Sequence, residues 1–213
     1  MSQRVLVISA IISTTVDFLR HGEVAGGSYY RGITNDPLTK PGWQQMQNAV
    51  AGQHWDIIIS SPLQRCFDFA QQLSKQNQTP FNKEPDWQEI NFGDWEGKSA
   101  EEIILARPDA LNRYYQDPGN NTPKNGEDLN SFLARINQAW EKLIYLHSGK
   151  HLLVVTHAGV IRSLFSVLLN LPEKKMFNLE VDHANFTRFQ CLQGHAENFI
   201  KLIYHNKHHI LKY

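Results

Sequence analysis

The 213-residue chain has little of what would settle a function on its own. Its two cysteines, Cys66 and Cys191, make neither a disulfide framework nor a CxxC pair, so both are expected as small core residues in a reducing compartment. Net charge is also missing. The balance of 21 basic against 21 acidic residues excludes a nucleic-acid or membrane-surface partner read by bulk charge, so any cation cluster must be local. There is no internal repeat, no P-loop and no GxGxxG, which counts against nucleoside triphosphates and dinucleotides. No HExxH occurs, and the histidines of the tail, His205, His208 and His209, lack a carboxylate partner, so no metal is expected. Long apolar runs are absent too. The run Val5 to Ile12 lies in a leader-like stretch but is too short to span a bilayer and lacks a clear small-x-small cleavage site. Residues 1–15 are therefore expected to be an extra strand or a frayed leader, or to reflect a start site placed too far upstream. The length suits one domain over residues 1–213 with a sizeable core. A soluble cytoplasmic protein, monomeric or homodimeric, is the expectation.

What is present begins with three unalternating β-branched or leucine-rich runs, Val16 to Leu19, Asp56 to Ser60 and His151 to Thr156. Strands of this kind are covered on both faces, as in a parallel sheet. Helical stretches at about Gly42 to Ala51, Pro62 to Lys75 and Leu129 to His147 fall between them, which is the alternation of a doubly wound α/β domain. Thr39 before Lys40-Pro41 predicts a helix start. Phe186 to Leu192 and Asn198 to Tyr204, either side of Gln193-Gly194-His195, predict an edge hairpin. The stretch from about 78 to 127 is rich in Pro, Asn, Asp and Trp and reads as a cap excursion able to roof a site.

Three strand ends carry similar chemistry. The first ends in LRHGE, the second runs into SSPLQRC, and the third ends in VVTHAGVIR. Ligands of open α/β sheets gather beyond the carboxyl ends of the strands, so Arg20, His21, Arg65 and His157 can share one crevice. Such a group of cations calls for an anion, and two planar guanidinium forks match phosphate oxygens. A helix opening at Ala158 would add free N–H groups and the positive end of its dipole. With one ring nitrogen held by a backbone carbonyl, a histidine there can attack phosphorus through the other. Gly22 would allow a close backbone approach. Glu89, among Trp87, Ile90, Phe92 and Trp95, is the candidate proton donor, since aromatic burial favours a neutral carboxyl. The loop Gly26-Gly27-Ser28-Tyr29-Tyr30-Arg31 offers a flexible, aromatic and basic flap over a substrate, with Arg31 as a binding residue. Trp87, Phe92 and Trp95 are equally consistent with cap packing, and Glu127 with an acid at a helix start.

The motifs RHGE, SPLQRC, EINFGDWEG and VTHAGVIR, in this order over most of the chain, resemble the histidine phosphatase superfamily, the phosphoglycerate mutase-like proteins. The resemblance implies a three-layer α/β/α fold and a cofactor-free, metal-free enzyme. It implies His21 as the phosphorylated nucleophile, Arg20, Arg65 and His157 as phosphate ligands, and Glu89 as proton donor. FGDWEG and RGITNDPLT look most like the alpha-ribazole phosphatase branch, which removes a 5′-phosphate in cobalamin nucleotide-loop assembly. The chain departs from that pattern at Gly27, where many relatives have asparagine, and at Asn35, where many have aspartate.

The expected substrate is thus a small phosphate ester, with alpha-ribazole 5′-phosphate leading. A broad-specificity or sugar-phosphate phosphatase is the alternative. A mutase would need further cations for a second anionic group, and Arg107 and Arg113 are the nearest on offer. A non-catalytic phosphoprotein-binding module is disfavoured because nucleophile and acid are both present.

Overall fold

Strands with apolar side chains on both faces belong inside a sheet, and the two central strands are of that kind. In the computed structural model, which describes residues 11–194 and 198–208, β1 (Ile12–Arg20), β2 (Ile57–Ser60), β3 (Phe81–Lys83), β4 (His151–Thr156), β5 (Phe186–Gln193) and β6 (Phe199–Lys207) form one sheet in the order β3-β2-β4-β1-β5-β6. The pairings among β3, β2, β4 and β1 are parallel, and those of β1 with β5 and β5 with β6 are antiparallel. The expected edge hairpin is therefore there as a strand pair, its turn lying partly outside the described residues.

Helices cover both faces. Val16 and Phe18 of β1 with Leu152 and Val154 of β4 face α5 (Leu129–Leu146) and α6 (Ala158–Leu169). Leu19, Leu153 and Val155 face α1 (Lys40–Val50) and α2 (Gln64–Asn77). The result is three layers, α/β/α, around two cores. In α5 the buried Leu129, Phe132, Leu133, Ile136, Ala139, Trp140, Leu143 and Ile144 recur at helical spacing, and full burial of each large apolar side chain is worth about 1.5–3 kcal/mol. Thr39 caps α1 as expected, its hydroxyl accepting from Gly42 N at 3.0 Å. Cys66 and Cys191 are free and buried, one in each core.

Two expectations need correction. Ile12–Thr15 are no separate strand: they lengthen β1, because β5 offers partners as far as Ile12 opposite Gln193. Residues 1–10 lie outside the described part. The cap excursion starts later than residue 78, since Phe81–Lys83 pairs with β2 at the sheet edge. With three residues, two of them exposed, that strand has no apolar signature. Beyond it come short turns and the two short helices α3 (Ala100–Ala106) and α4 (Ala110–Gln116). Among the described residues no helix is long and apolar enough to cross a membrane.

Candidate active site

The carboxyl ends of β1, β2 and β4 meet at one edge, and backbone bonds continue beyond the strands. His21 N donates to Thr156 O at 3.0 Å, and Ser61 N donates to Val155 O at 3.0 Å. The site residues are thus spaced by the sheet ladder itself. His21 and His157, each the first residue past its strand, bring their rings to 5.3 Å between centroids.

His21 is buried, and its Nδ1–H donates to Gly22 O at 2.8 Å. Nε2 is left as a lone pair. Burial, with the Arg65 and Arg20 charges beside it, holds its pKa well below the ordinary histidine value, so the ring is neutral. Gly22 serves packing more than substrate approach: a Cβ there would collide with the Gly42 backbone at the start of α1. His157 is fully buried and is likewise held neutral by burial and by Arg65. Its Nδ1 accepts from Arg65 Nε at 3.2 Å, which leaves the Nε2 proton for Ser61 Oγ at 2.7 Å.

Arg65, the second residue of α2, is completely buried. Besides His157 it donates from Nη1 to Thr34 O at 2.6 Å and from Nη2 to Gly32 O at 2.7 Å. Three of its five N–H groups are thereby used, and two remain for an anion. The loop that accepts these bonds is gripped from its other side by Glu96, whose carboxylate accepts from the amides of Gly32, Ile33, Thr34 and Phe92 and from the Thr34 hydroxyl. Asn35 of the same loop accepts from Gln64 N at 2.7 Å at the start of α2, whose own cap position, Leu63, supplies no side-chain acceptor.

Arg20 ends β1. It donates to Val181 O and, from Nη2, to His183 Nε2 at 2.9 Å, while its buried Nε has no partner. Burial lowers its pKa to about 10, so the cation persists at neutral pH. Glu89 is buried next to α6, where Oε2 accepts from Gly159 N at 2.9 Å and Oε1 from Ile90 N at 3.0 Å. Any Cβ at position 159 would strike that carboxylate. The aromatic surroundings expected for Glu89 are only partly its own. Trp87 packs on Phe18 in the core, and Phe92 and Trp95 pack on Tyr30 and Tyr114. Ala158 opens α6 and contributes a first-turn N–H at the crevice.

Arg31 lines a cavity of about 900 Å³ that also meets Arg20, Glu23, Tyr30, Tyr115, Arg162 and His183. Its charge is committed to Asp36 at 2.7 Å, and Nη2 donates to the Ala25 and Gly27 carbonyls, so it braces the flap in this state. Arg107 and Arg113 are not in the crevice wall: both are exposed and pair with Asp109. Glu127 precedes the cap of α5 and pairs with Arg135 at 2.8 Å, and Asp128 is the helix cap instead. His205 lies within β6 on Thr187 and Phe165, and His209 falls outside the described residues.

Sequence reasoning missed His183, Ser61 and Arg162. His183 stands 5.6 Å from His21 between ring centroids, with its pKa lowered to about 4 by burial and by Arg20. It was findable, since an antiparallel strand starts where its parallel neighbour ends and β5 begins just after His183.

Residues 16–200 match the model of the histidine phosphatase superfamily (branch 1). The chain belongs to that superfamily. It is accordingly a phosphatase, a hydrolase of phosphate esters. The adenosylcobalamin/alpha-ribazole phosphatase of Escherichia coli K12 is 28% identical over 183 residues, covering 84% of this chain and 90% of its own. Phosphoserine phosphatase 1 of Hydrogenobacter thermophilus is 26% identical over 161 residues, covering 74% and 76%. The crystal structure of the alpha-ribazole phosphatase from Shigella flexneri superposes with a TM-score of 0.79 at 26% identity, over 93% of this chain and 99% of that one. Within the histidine phosphatase superfamily, this chain therefore shares its fold with the Shigella flexneri enzyme over nearly its whole length.

Proposed function

We propose that the protein is a metal-independent phosphomonoesterase working through a phosphohistidine at His21. The observation that carries this reading is the His21 ring, neutral and with Nδ1 bonded to Gly22 O, so that Nε2 is a free lone pair among cations. Nε2 attacks phosphorus, the bond to the ester oxygen breaks, and Glu89 gives its proton to the departing oxygen. Water then attacks the phosphohistidine, Glu89 takes a water proton, and the P–N bond returns its electrons to Nε2. Arg20, through its orphaned Nε, and the two free N–H groups of Arg65 hold the equatorial oxygens, assisted by the Ala158 N–H, as their charge is redistributed, while His157, its one N–H given to Ser61, acts by fixing Arg65 through Nδ1. Arg31 closes the flap over the ester.

The leading substrate is alpha-ribazole 5′-phosphate, supported by the names of relatives at 28% and 26% identity. An ester whose leaving group carries a second anion is a second reading, favoured by Arg162 in the cavity wall. Alkaline quenching of turnover on labelled alpha-ribazole 5′-phosphate, phosphoserine and p-nitrophenyl phosphate in EDTA tests the scheme. Label is expected on His21, with none on a folded His21→Ala variant and turnover there reduced by at least about a thousandfold. Near-wild-type turnover in that variant would end the phosphohistidine reading. Equal rates on all three esters would end the alpha-ribazole one.

A further inference from the structure

Outside the crevice, the arginines among the described residues pair with carboxylates: Arg107 and Arg113 with Asp109, Arg135 with Glu127, Arg188 with Asp17. The two arginines read above as phosphate ligands are held differently. Arg65 is bracketed by two backbone carbonyls and His157 Nδ1, and Arg20 by the Val181 carbonyl and His183 Nε2 at 2.9 Å. Each cation thus has one imidazole nitrogen, and no carboxylate, among its hydrogen-bond partners in the described residues. A neutral acceptor fixes the plane of a guanidinium and leaves its charge for an anion; a carboxylate in the same place would cancel that charge and repel a phosphate.

The turn that carries His183 is built to hold it in place. Ala184 takes a φ of +55°, the left-handed region that a residue with a Cβ rarely adopts. Its N–H donates to Arg20 O at 3.1 Å, and Arg20 N donates to Asn185 O at 3.2 Å, so the backbone of Arg20 and the turn are laced together. On the other side, Asp182 N and Asn185 Nδ2 both donate to Asn206 Oδ1 of β6, at 2.8 and 2.9 Å. Strain that the surroundings enforce in this way clusters where a side chain has a task. The side chain delivered here is His183, in the wall of the 900 Å³ cavity, its ring 5.6 Å from that of His21. Burial and the Arg20 charge lower its pKa to about 4, so at neutral pH the ring is neutral. A guanidinium only donates, so Nε2 is the acceptor and the ring proton sits on Nδ1. With Nη1 on Val181 and Nη2 on His183, the Nε–H of Arg20 is left buried and without a partner.

We propose that His183 is a positioning residue for phosphate binding: through Nε2 it turns Arg20 so that the Nε–H faces the phosphoryl oxygens, and it leaves the charge of that arginine uncompensated. This rests on the reading of Arg20 as a phosphate ligand. The test is calorimetric titration with orthovanadate, a phosphate analogue, which needs no turnover and gives a dissociation constant independent of how much enzyme is folded. His183→Leu, which fills much of the space without an acceptor, is expected to raise that constant at least about tenfold, the worth of one hydrogen bond to a charged group. His183→Gln, whose amide oxygen can accept from the guanidinium, is expected to stay within about threefold of wild type. In an Arg20→Met background, His183→Leu should change the constant by less than about twofold, because the group it acts through is gone. An unchanged constant in His183→Leu, equal losses in the Leu and Gln variants, or a full effect that persists without Arg20 overturns the positioning role. If Arg20→Met alone leaves the constant unchanged, the reading of Arg20 as a phosphate ligand falls, and the role of His183 with it.

Discussion

Single residues here are fixed by hydrogen bonds that leave one function open. Glu89 shows the pattern: both carboxylate oxygens accept a backbone N–H, and the clearance for them exists only because position 159 is glycine. Two bonds orient the carboxylate while a remaining lone pair on each oxygen can carry a proton. If that proton goes to the leaving oxygen, its value depends on the leaving group. Glu89→Gln should therefore lower kcat/KM on alkyl phosphates by about 10²–10⁴-fold, the usual worth of a general acid, and on p-nitrophenyl phosphate by much less. Nitrophenolate departs with little help. Steady-state rates on the two ester types decide it, and equal losses on both would move the acid to another residue.

At the scale of elements, the loop from Arg31 to Asp36 is the part that joins separate motifs. Its carbonyls bind Arg65 of α2, and its amides bind Glu96 at the end of FGDWEG, so one loop is clamped between a buried guanidinium and a carboxylate. Glu96→Ala removes the acceptor for four amides and a hydroxyl. The variant should lose about 2–3 kcal/mol in urea unfolding, the cost of a few partly buried donors left unmatched. Because Arg65 leans on the same loop, KM for phosphate esters should rise as well. Unchanged stability and KM together would show that the loop holds its shape without Glu96. Strand and helix order was legible in the sequence because Val16 to Leu19 and His151 to Thr156 are apolar on both faces and α5 is regular in its spacing. Arg20, His21, Arg65 and His157 were legible because strand ends converge in such sheets. His183 and Arg162 were not read: one depends on the direction of β5, the other on which face α6 turns inward. Neither is written in a local run. The clamp on Arg65 was equally hidden, since backbone carbonyls leave no trace in residue type.

Across the whole molecule, the parallel and antiparallel parts of the sheet are tied by one buried carboxylate. Asp17, with no exposed surface, accepts from Arg188 Nε at 2.7 Å and Nη2 at 2.8 Å on β5, from Tyr204 OH at 3.0 Å on β6, and from Trp55 Nε1 at 2.8 Å ahead of β2. His151 Nε2 at the start of β4 stands 2.7 Å away. Burial alone would raise the Asp17 pKa; the bonds from Arg188 and His151 outweigh it, and the net shift is downward. A carboxyl whose folded pKa lies below its unfolded value adds stability at every pH above the unfolded value of about 3.9, and that contribution fades as pH falls through the folded one. Asp17→Asn keeps the shape and removes the charge, leaving Arg188 without its counter-ion. The cost at neutral pH should be about 2–4 kcal/mol, somewhat less than for a fully buried pair because Arg188 and His151 keep some solvent contact. Urea unfolding of both proteins from pH 7 downward gives the decisive comparison. The gap between them should hold steady to about pH 4 and close below it, since wild-type Asp17 then takes up the proton that makes it resemble asparagine. A gap that stays constant under strong acid would mean that shape and hydrogen bonding, rather than the charge on Asp17, hold the two parts of the sheet together.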